Sequence, residues 1–130
     1  MVRIILITHG SLGASLIETA SAICCFNNEE VLSFTVTGKV NLEDMESKIK
    51  SSFSGNGTLI LVDGFGGTSS NLALKCISDR KDVSVICGVN LNMLLAALSN
   101  QNKMNLTELA AKVMADGKKA ILDATELIKK

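Results

Sequence analysis

The chain has 130 residues, 47% of them apolar and 20% charged, a balance that predicts one globular domain spanning 1–130 with a proper core. Thirteen basic residues meet thirteen acidic ones, and tryptophan and tyrosine are absent, which argues against a nucleic-acid or anionic-membrane role driven by bulk charge and base stacking. Cys24, Cys25, Cys76 and Cys87 form no C-x-x-C pair, and no leader or membrane-length apolar run is present, so the expectation is reduced thiols in a cytoplasmic protein without membrane insertion.

The hydrophobic period alternates between strand and helix along the chain. Residues 3–8 are an apolar run of strand length that breaks at His9-Gly10-Ser11-Leu12-Gly13. From Ser11 to Cys25, the side chains of Leu16, Ile17, Ala20, Ile23 and Cys24 fall on one helical face. Val31 to Val36 alternates and is rich in β-branched residues, which predicts a second strand. Thr37-Gly38-Lys39 is a turn. Asn41 then caps a helix, with Asp44 completing a variant of the capping box and Leu42, Met45, Ile49 and Phe53 as the buried stripe. Thr58 to Val62 is a third strand, running into Asp63-Gly64-Phe65-Gly66-Gly67-Thr68-Ser69-Ser70.

The next helix carries Leu72, Ala73, Cys76 and Ile77, and Val83 to Cys87 is a fourth strand. A short helix through Met93, Leu94, Ala97 and Leu98 and another from near Asn105 follow, the latter burying Leu106, Leu109, Ala110 and Val113. After Gly117, Ala120-Ile121-Leu122 fits either a strand or a continued helix. The lysines at 118, 119, 129 and 130 are interrupted by Asp116, Asp123 and Glu126, the pattern of a solvated helix face. Strands separated by helices predict an α/β fold: a three-layer sandwich with a mostly parallel central sheet and helices on both faces.

In such a sheet the carboxyl ends of the strands share one rim, where ligands bind. His9, the only histidine, follows the first strand and Asp63 follows the third. A carboxylate that accepts from one imidazole nitrogen aims the ring and leaves the other nitrogen as a nucleophile. Free imidazole titrates at about 6.5, so the nucleophilic neutral form is available near neutral pH. Gly10 and Gly13 flank the first position, and Gly64, Gly66 and Gly67 the second. Exposed backbone amides beside helix N-termini, with hydroxyls from Ser11, Thr68, Ser69 and Ser70, suit phosphoryl oxygens. Neither a Walker A lysine pattern nor a dinucleotide fingerprint is present, so no nucleotide cofactor is expected. The cysteine spacing argues against a metal site.

Thr8-His9-Gly10, Leu61-Val62-Asp63 with Gly66-Gly67-Thr68 and Asn71, and Gly88-Val89-Asn90-Leu91 with Met93-Leu94 together resemble the mannose-type enzyme IIA domain of the bacterial phosphoenolpyruvate-dependent sugar phosphotransferase system. The resemblance covers nearly the whole chain in order and spacing. It implies that His9 is the phosphorylated histidine, Asp63 its hydrogen-bonding partner, and Thr68 the hydroxyl after the paired glycines. His9 would take a phosphoryl group from the histidine-containing phosphocarrier protein and pass it to a histidine of enzyme IIB. Gly10, Ser11, Gly66, Gly67 and Thr68 would line the phosphoryl group.

The resemblance also implies a homodimer that exchanges a C-terminal antiparallel strand, for which Ala120-Ile121-Leu122 is the candidate. A chain ending at Lys130 would then act as a separate subunit. There are departures from the family pattern. Ser69 and Ser70 stand where proline and a bulky residue are usual, Phe65 where tryptophan is common, and Asn92 where proline is common. These bear on partner choice and loop rigidity. Two other readings remain, the first on the same fold and the second because it too places His-Gly-Ser after a first strand. One is a regulatory phospho-acceptor module of the dihydroxyacetone kinase or transcription-activator type. The other is a tetrapyrrole metal chelatase, which the lack of a second histidine disfavours.

Overall fold

The computed structural model describes residues 1–26, 30–78 and 80–129. Four strands, β1 (Arg3–His9), β2 (Val31–Val36), β3 (Thr58–Val62) and β4 (Val83–Cys87), form one sheet in the order β2-β1-β3-β4, and every pairing is parallel. Among the described residues there are six α-helices: α1 (Leu12–Ile23), α2 (Leu42–Ser51), α3 (Thr68–Cys76), α4 (Leu91–Asn100), α5 (Leu106–Lys119) and α6 (Ala124–Ile128). The α/β layering expected from the alternating periods is the architecture observed.

Successive strand residues point to opposite faces, and the central strands are apolar on both. Ile4, Leu6, Leu59 and Leu61 pack on one face with Ala20 of α1, Leu94 and Ala97 of α4, and Leu109 and Val113 of α5. Ile5, Ile7, Ile60 and Val62 pack on the other with Ile49 of α2 and Leu72, Ala73 and Cys76 of α3. Each of these twelve or more side chains is withdrawn almost completely from water, and burying one aliphatic side chain contributes about 1.5–3 kcal/mol. The result is a rigid central pair, β1 and β3, whose carboxyl ends lie side by side.

Asparagine caps start three helices. Asn90 accepts the Met93 amide at α4, and at α5 Asn105 and Glu108 form a reciprocal capping box. At α2 the Asn41 carboxamide accepts the Glu43 and Asp44 amides, so the asparagine half of the expected arrangement is in place.

Two expectations are revised. α1 stops at Ile23, because Cys24 turns to an extended conformation, and Ile23 is left 59% exposed rather than buried. Leu42 likewise lies outside the core, at the first position of α2. α5 passes through Gly117 to Lys119, and the glycine lets α5 press on α4, where a Cβ would lie 2.5 Å from Met93 Cγ.

Ala120 caps α5, Ile121 and Leu122 are exposed without regular structure, and Asp123 then caps α6. Among the described residues there is therefore no antiparallel fifth strand. Lys118, Lys119 and Lys129 lie in or beside α5 and α6; Lys130 is outside the described residues.

Candidate functional site

β1 and β3 pair in register through Ile7 and Val62, so the residues that follow them emerge together at the rim. β1 ends on His9 because Gly10 turns the backbone to φ +55°, the left-handed region that favours glycine, and α1 starts two residues later. Asp63 follows β3 directly. Its Oδ2 accepts the His9 backbone amide at 2.8 Å and stands 2.8 Å from the His9 ring Nδ1. Its Oδ1 accepts the Gly64 amide at 3.0 Å. Residues 54 apart in sequence are thus joined by one carboxylate.

Burial pushes the Asp63 carboxyl up, but the His9 amide and ring, the Gly64 amide and the Ser69 hydroxyl outweigh it and bring the carboxyl down to about 2. At neutral pH Asp63 is therefore a pure acceptor. A pure acceptor at 2.8 Å requires Nδ1 to carry the proton, which leaves Nε2 of the neutral ring with its lone pair free. The two side chains differ in access: 56% of the His9 side chain is exposed against 19% for Asp63. The imidazole faces solvent, and the carboxylate beside it is mostly covered.

Around the ring, Gly67 lies close enough that a Cβ there would sit 3.8 Å from His9 Cε1. Gly67 is also the N-cap of α3 and makes no side-chain cap. The first amides of a helix have no partner within it, and their dipoles favour an anion. Thr68 opens α3 and lines, with His9, Val36, Thr37, Gly38 and Leu42, a cleft of about 410 Å³. This is space for a group held on Nε2 and for the edge of a partner.

The other candidate residues take different places. The Gly66 amide already donates to Ser70 Oγ at 2.8 Å, and the Ser70 hydroxyl donates to the Gly67 carbonyl at 3.1 Å. Gly66 therefore shapes the loop, with φ +93°, rather than offering an open donor. Gly10 and Ser11 are exposed at the entry to α1, on the His9 side, and Ser11 is the N-cap without a side-chain bond. Ser69 is the residue sequence reasoning underrated. Read there as one hydroxyl among several, it places Oγ 3.2 Å from His9 Nδ1. Cys87 ends β4 on the same rim, but burial and the Asp63 charge push its thiol up, which makes it a poor competitor nucleophile at neutral pH.

A family model described as the PTS system fructose IIA component, PTS being the phosphotransferase system, matches residues 3–114. The chain belongs to this family. Among its relatives, the sorbose-specific EIIA component of Lacticaseibacillus casei is 32% identical over 81 residues, covering 60% of this chain and 59% of that protein. The mannose-specific EIIAB component of Escherichia coli K12 is 27% identical over 125 residues, covering 92% of this chain and 38% of that protein. This IIA-family chain thus spans less than two thirds of the length of either relative. The crystal structure of a phosphotransferase system component EIIA from Streptococcus agalactiae superposes with a TM-score of 0.88 at 22% identity, covering 97% of this chain and 99% of that one. That likeness is one of fold.

Proposed function

We propose that this chain is a phosphoryl-transfer subunit of a sugar phosphotransferase system, in which His9 accepts a phosphoryl group from the histidine-containing phosphocarrier protein and passes it to a histidine of enzyme IIB. The observation that carries the reading is the double contact of Asp63 Oδ2 with the His9 amide and ring, each at 2.8 Å. It fixes the tautomer a nucleophilic histidine needs.

The step balances without a cofactor or a metal. The Nε2 lone pair forms a new N–P bond as the N–P bond to the donor imidazole breaks, and that electron pair returns to the donor ring. His9 becomes a phosphorylated imidazolium whose Nδ1–H faces Asp63, so positive charge develops against a fixed negative one. The amides at the start of α3 and the Thr68 hydroxyl would receive the phosphoryl oxygens, together with Gly10 and Ser11 at the entry to α1. Transfer to enzyme IIB is the same exchange run outward.

The reading extends to a cytoplasmic homodimer, with the exposed Ile121, Leu122, Leu127 and Ile128 as apolar surface for the second copy. Incubation with phosphoenolpyruvate, enzyme I and the phosphocarrier tests the central claim. Intact mass should show one acid-labile phosphoryl group, discharged on addition of enzyme IIB. An unchanged mass under conditions that label a known acceptor would overturn it. Sedimentation that returns only monomer would remove the dimer.

A further inference from the structure

Ser69 sits at the second position of α3 and is completely buried, although the rim beside it is open. Its Oγ is 3.2 Å from His9 Nδ1, and Asp63 Oδ2 is 2.8 Å from the same nitrogen. Nδ1 holds at most one hydrogen, whereas a hydroxyl has one donor and two lone pairs. The shorter, charge-assisted bond takes the ring hydrogen. Ser69 is then left with a lone pair toward Nδ1–H and its own hydrogen to give. The 3.2 Å contact therefore sets the hydroxyl oxygen beside the same Nδ1–H that Asp63 accepts, as a second and weaker acceptor.

Suppose instead that Ser69 donated to a bare Nδ1. Asp63 would then face a ring lone pair at 2.8 Å, an arrangement the carboxylate opposes. Asp63 therefore sets the tautomer, and Ser69 braces Nδ1 from a second direction. Both contacts fall on Nδ1, so Nε2 is left open.

We propose that Ser69 is a positioning residue that, through its contact with Nδ1, locks the plane of the His9 ring and leaves Nε2 free. This rests on the reading of His9 as the phosphoryl acceptor. Ser69 touches neither donor nor phosphoryl group; it acts through the ring.

The test compares Ser69→Ala, Ser69→Cys and Ser69→Thr in the full chain. Cysteine replaces the hydroxyl with a weakly hydrogen-bonding sulfur, and threonine keeps the hydroxyl. Nitrogen-15 spectra of the His9 ring are recorded at about pH 8.5, two units above the ordinary imidazole value. Wild type should show a protonated Nδ1 with a slowly exchanging hydrogen. In Ser69→Ala and Ser69→Cys that hydrogen should exchange faster and the Nδ1–H fraction should fall. Phosphoryl acceptance should slow about three- to tenfold, the range expected for one hydrogen bond.

Ser69→Thr should restore ring spectrum and rate together. If its melting temperature shows that it does not fold, the matched alanine and cysteine variants decide alone. Folded Ser69→Ala with a wild-type ring spectrum overturns the proposal, as does a changed spectrum with an unchanged rate. If wild type accepts no phosphoryl group, the functional reading fails, and the ring spectra still decide the Ser69 contact.

Discussion

The connections β1–α1 and β3–α3 leave the sheet at the same rim and do opposite work. The first is short, with only Gly10 and Ser11 between His9 and Leu12. It has no room for a network and delivers one side chain, the exposed imidazole. The second runs through five residues, Asp63 to Gly67, before α3 begins. It and the first turn of α3 carry the carboxylate, the turn held by Ser70 and the hydroxyl of Ser69. One strand end supplies the reactive atom and its neighbour supplies everything that aims it. An imidazole can then stay exposed while the groups that orient it are built on a separate, partly buried connection.

The hardest way to break this division is to remove the nucleophile. His9→Ala should abolish acid-labile labelling altogether, seen by intact mass, with the melting temperature little changed because the side chain is more than half exposed. Removing the aim alone should leave a remnant. Asp63→Ala should slow phosphoryl acceptance about ten- to a hundredfold, the factor for a hydrogen bond to a charged group, with Nε2 still present to react.

Asp63 also links stability to acid. Its folded carboxyl is lowered from 3.8 to about 2, so the unfolded chain takes up the proton first. The stabilisation is present above pH 3.8 and is lost as pH falls through about 2. Asp63→Asn should flatten that part of the acid-denaturation curve; an identical curve would show that Asp63 is not held ionised by the fold.

Much of this was legible from the chain because β1 and β3 are apolar on both faces. Ile4 to Ile7 and Leu59 to Val62 leave no polar position to confuse the period, and the parallel order puts His9 and Asp63 together. Helix ends were less legible. Ile23 and Cys24 continue the apolar stripe of α1, yet the chain leaves the helix there, since a period says which face is apolar and not how far the sheet extends beneath it. Gly117 carries the ordinary mark of a helix end, and only the closeness of Met93 explains it as a packing residue. Ser69 was visible as a departure from the family pattern, but its bearing on the site comes from a contact across 60 residues. No local pattern encodes that.

The anchorage of α1 gives the next effect down. Gly13 sits over the sheet with its amide on Thr8 Oγ1 at 2.8 Å, and a Cβ there would lie 2.5 Å from Ser33 Oγ and 2.9 Å from Thr8 Oγ1. Gly13→Ala should destabilise the fold by about 1–3 kcal/mol, the usual range for overpacking, as measured by urea denaturation. Because α1 follows His9 directly, the same variant should loosen the His9–Asp63 contact, visible as faster exchange of the Nδ1 hydrogen. A loss of stability with the ring spectrum intact would show the site to be independent of its first helix.

The paired glycines sharpen the comparison most finely, because they are adjacent and are required for different reasons. Gly66 needs its backbone: φ is +93°, and nothing within 4 Å would obstruct a Cβ. Gly66→Ala should cost about 1–2 kcal/mol of stability through backbone strain alone and should disturb the Ser70 clasp. Gly67 has φ −93° and ψ −175°, which alanine adopts freely. Its Cβ would meet His9 Cε1 at 3.8 Å, an ordinary contact. Gly67→Ala should therefore lose only about 0.5 kcal/mol, from a poorer N-cap, and should keep phosphoryl acceptance near the wild-type rate. Equal losses at the two positions would mean that the rim tolerates no added carbon. In that case the closeness of the β3–α3 backbone to the ring, rather than its shape, would be what the second connection contributes.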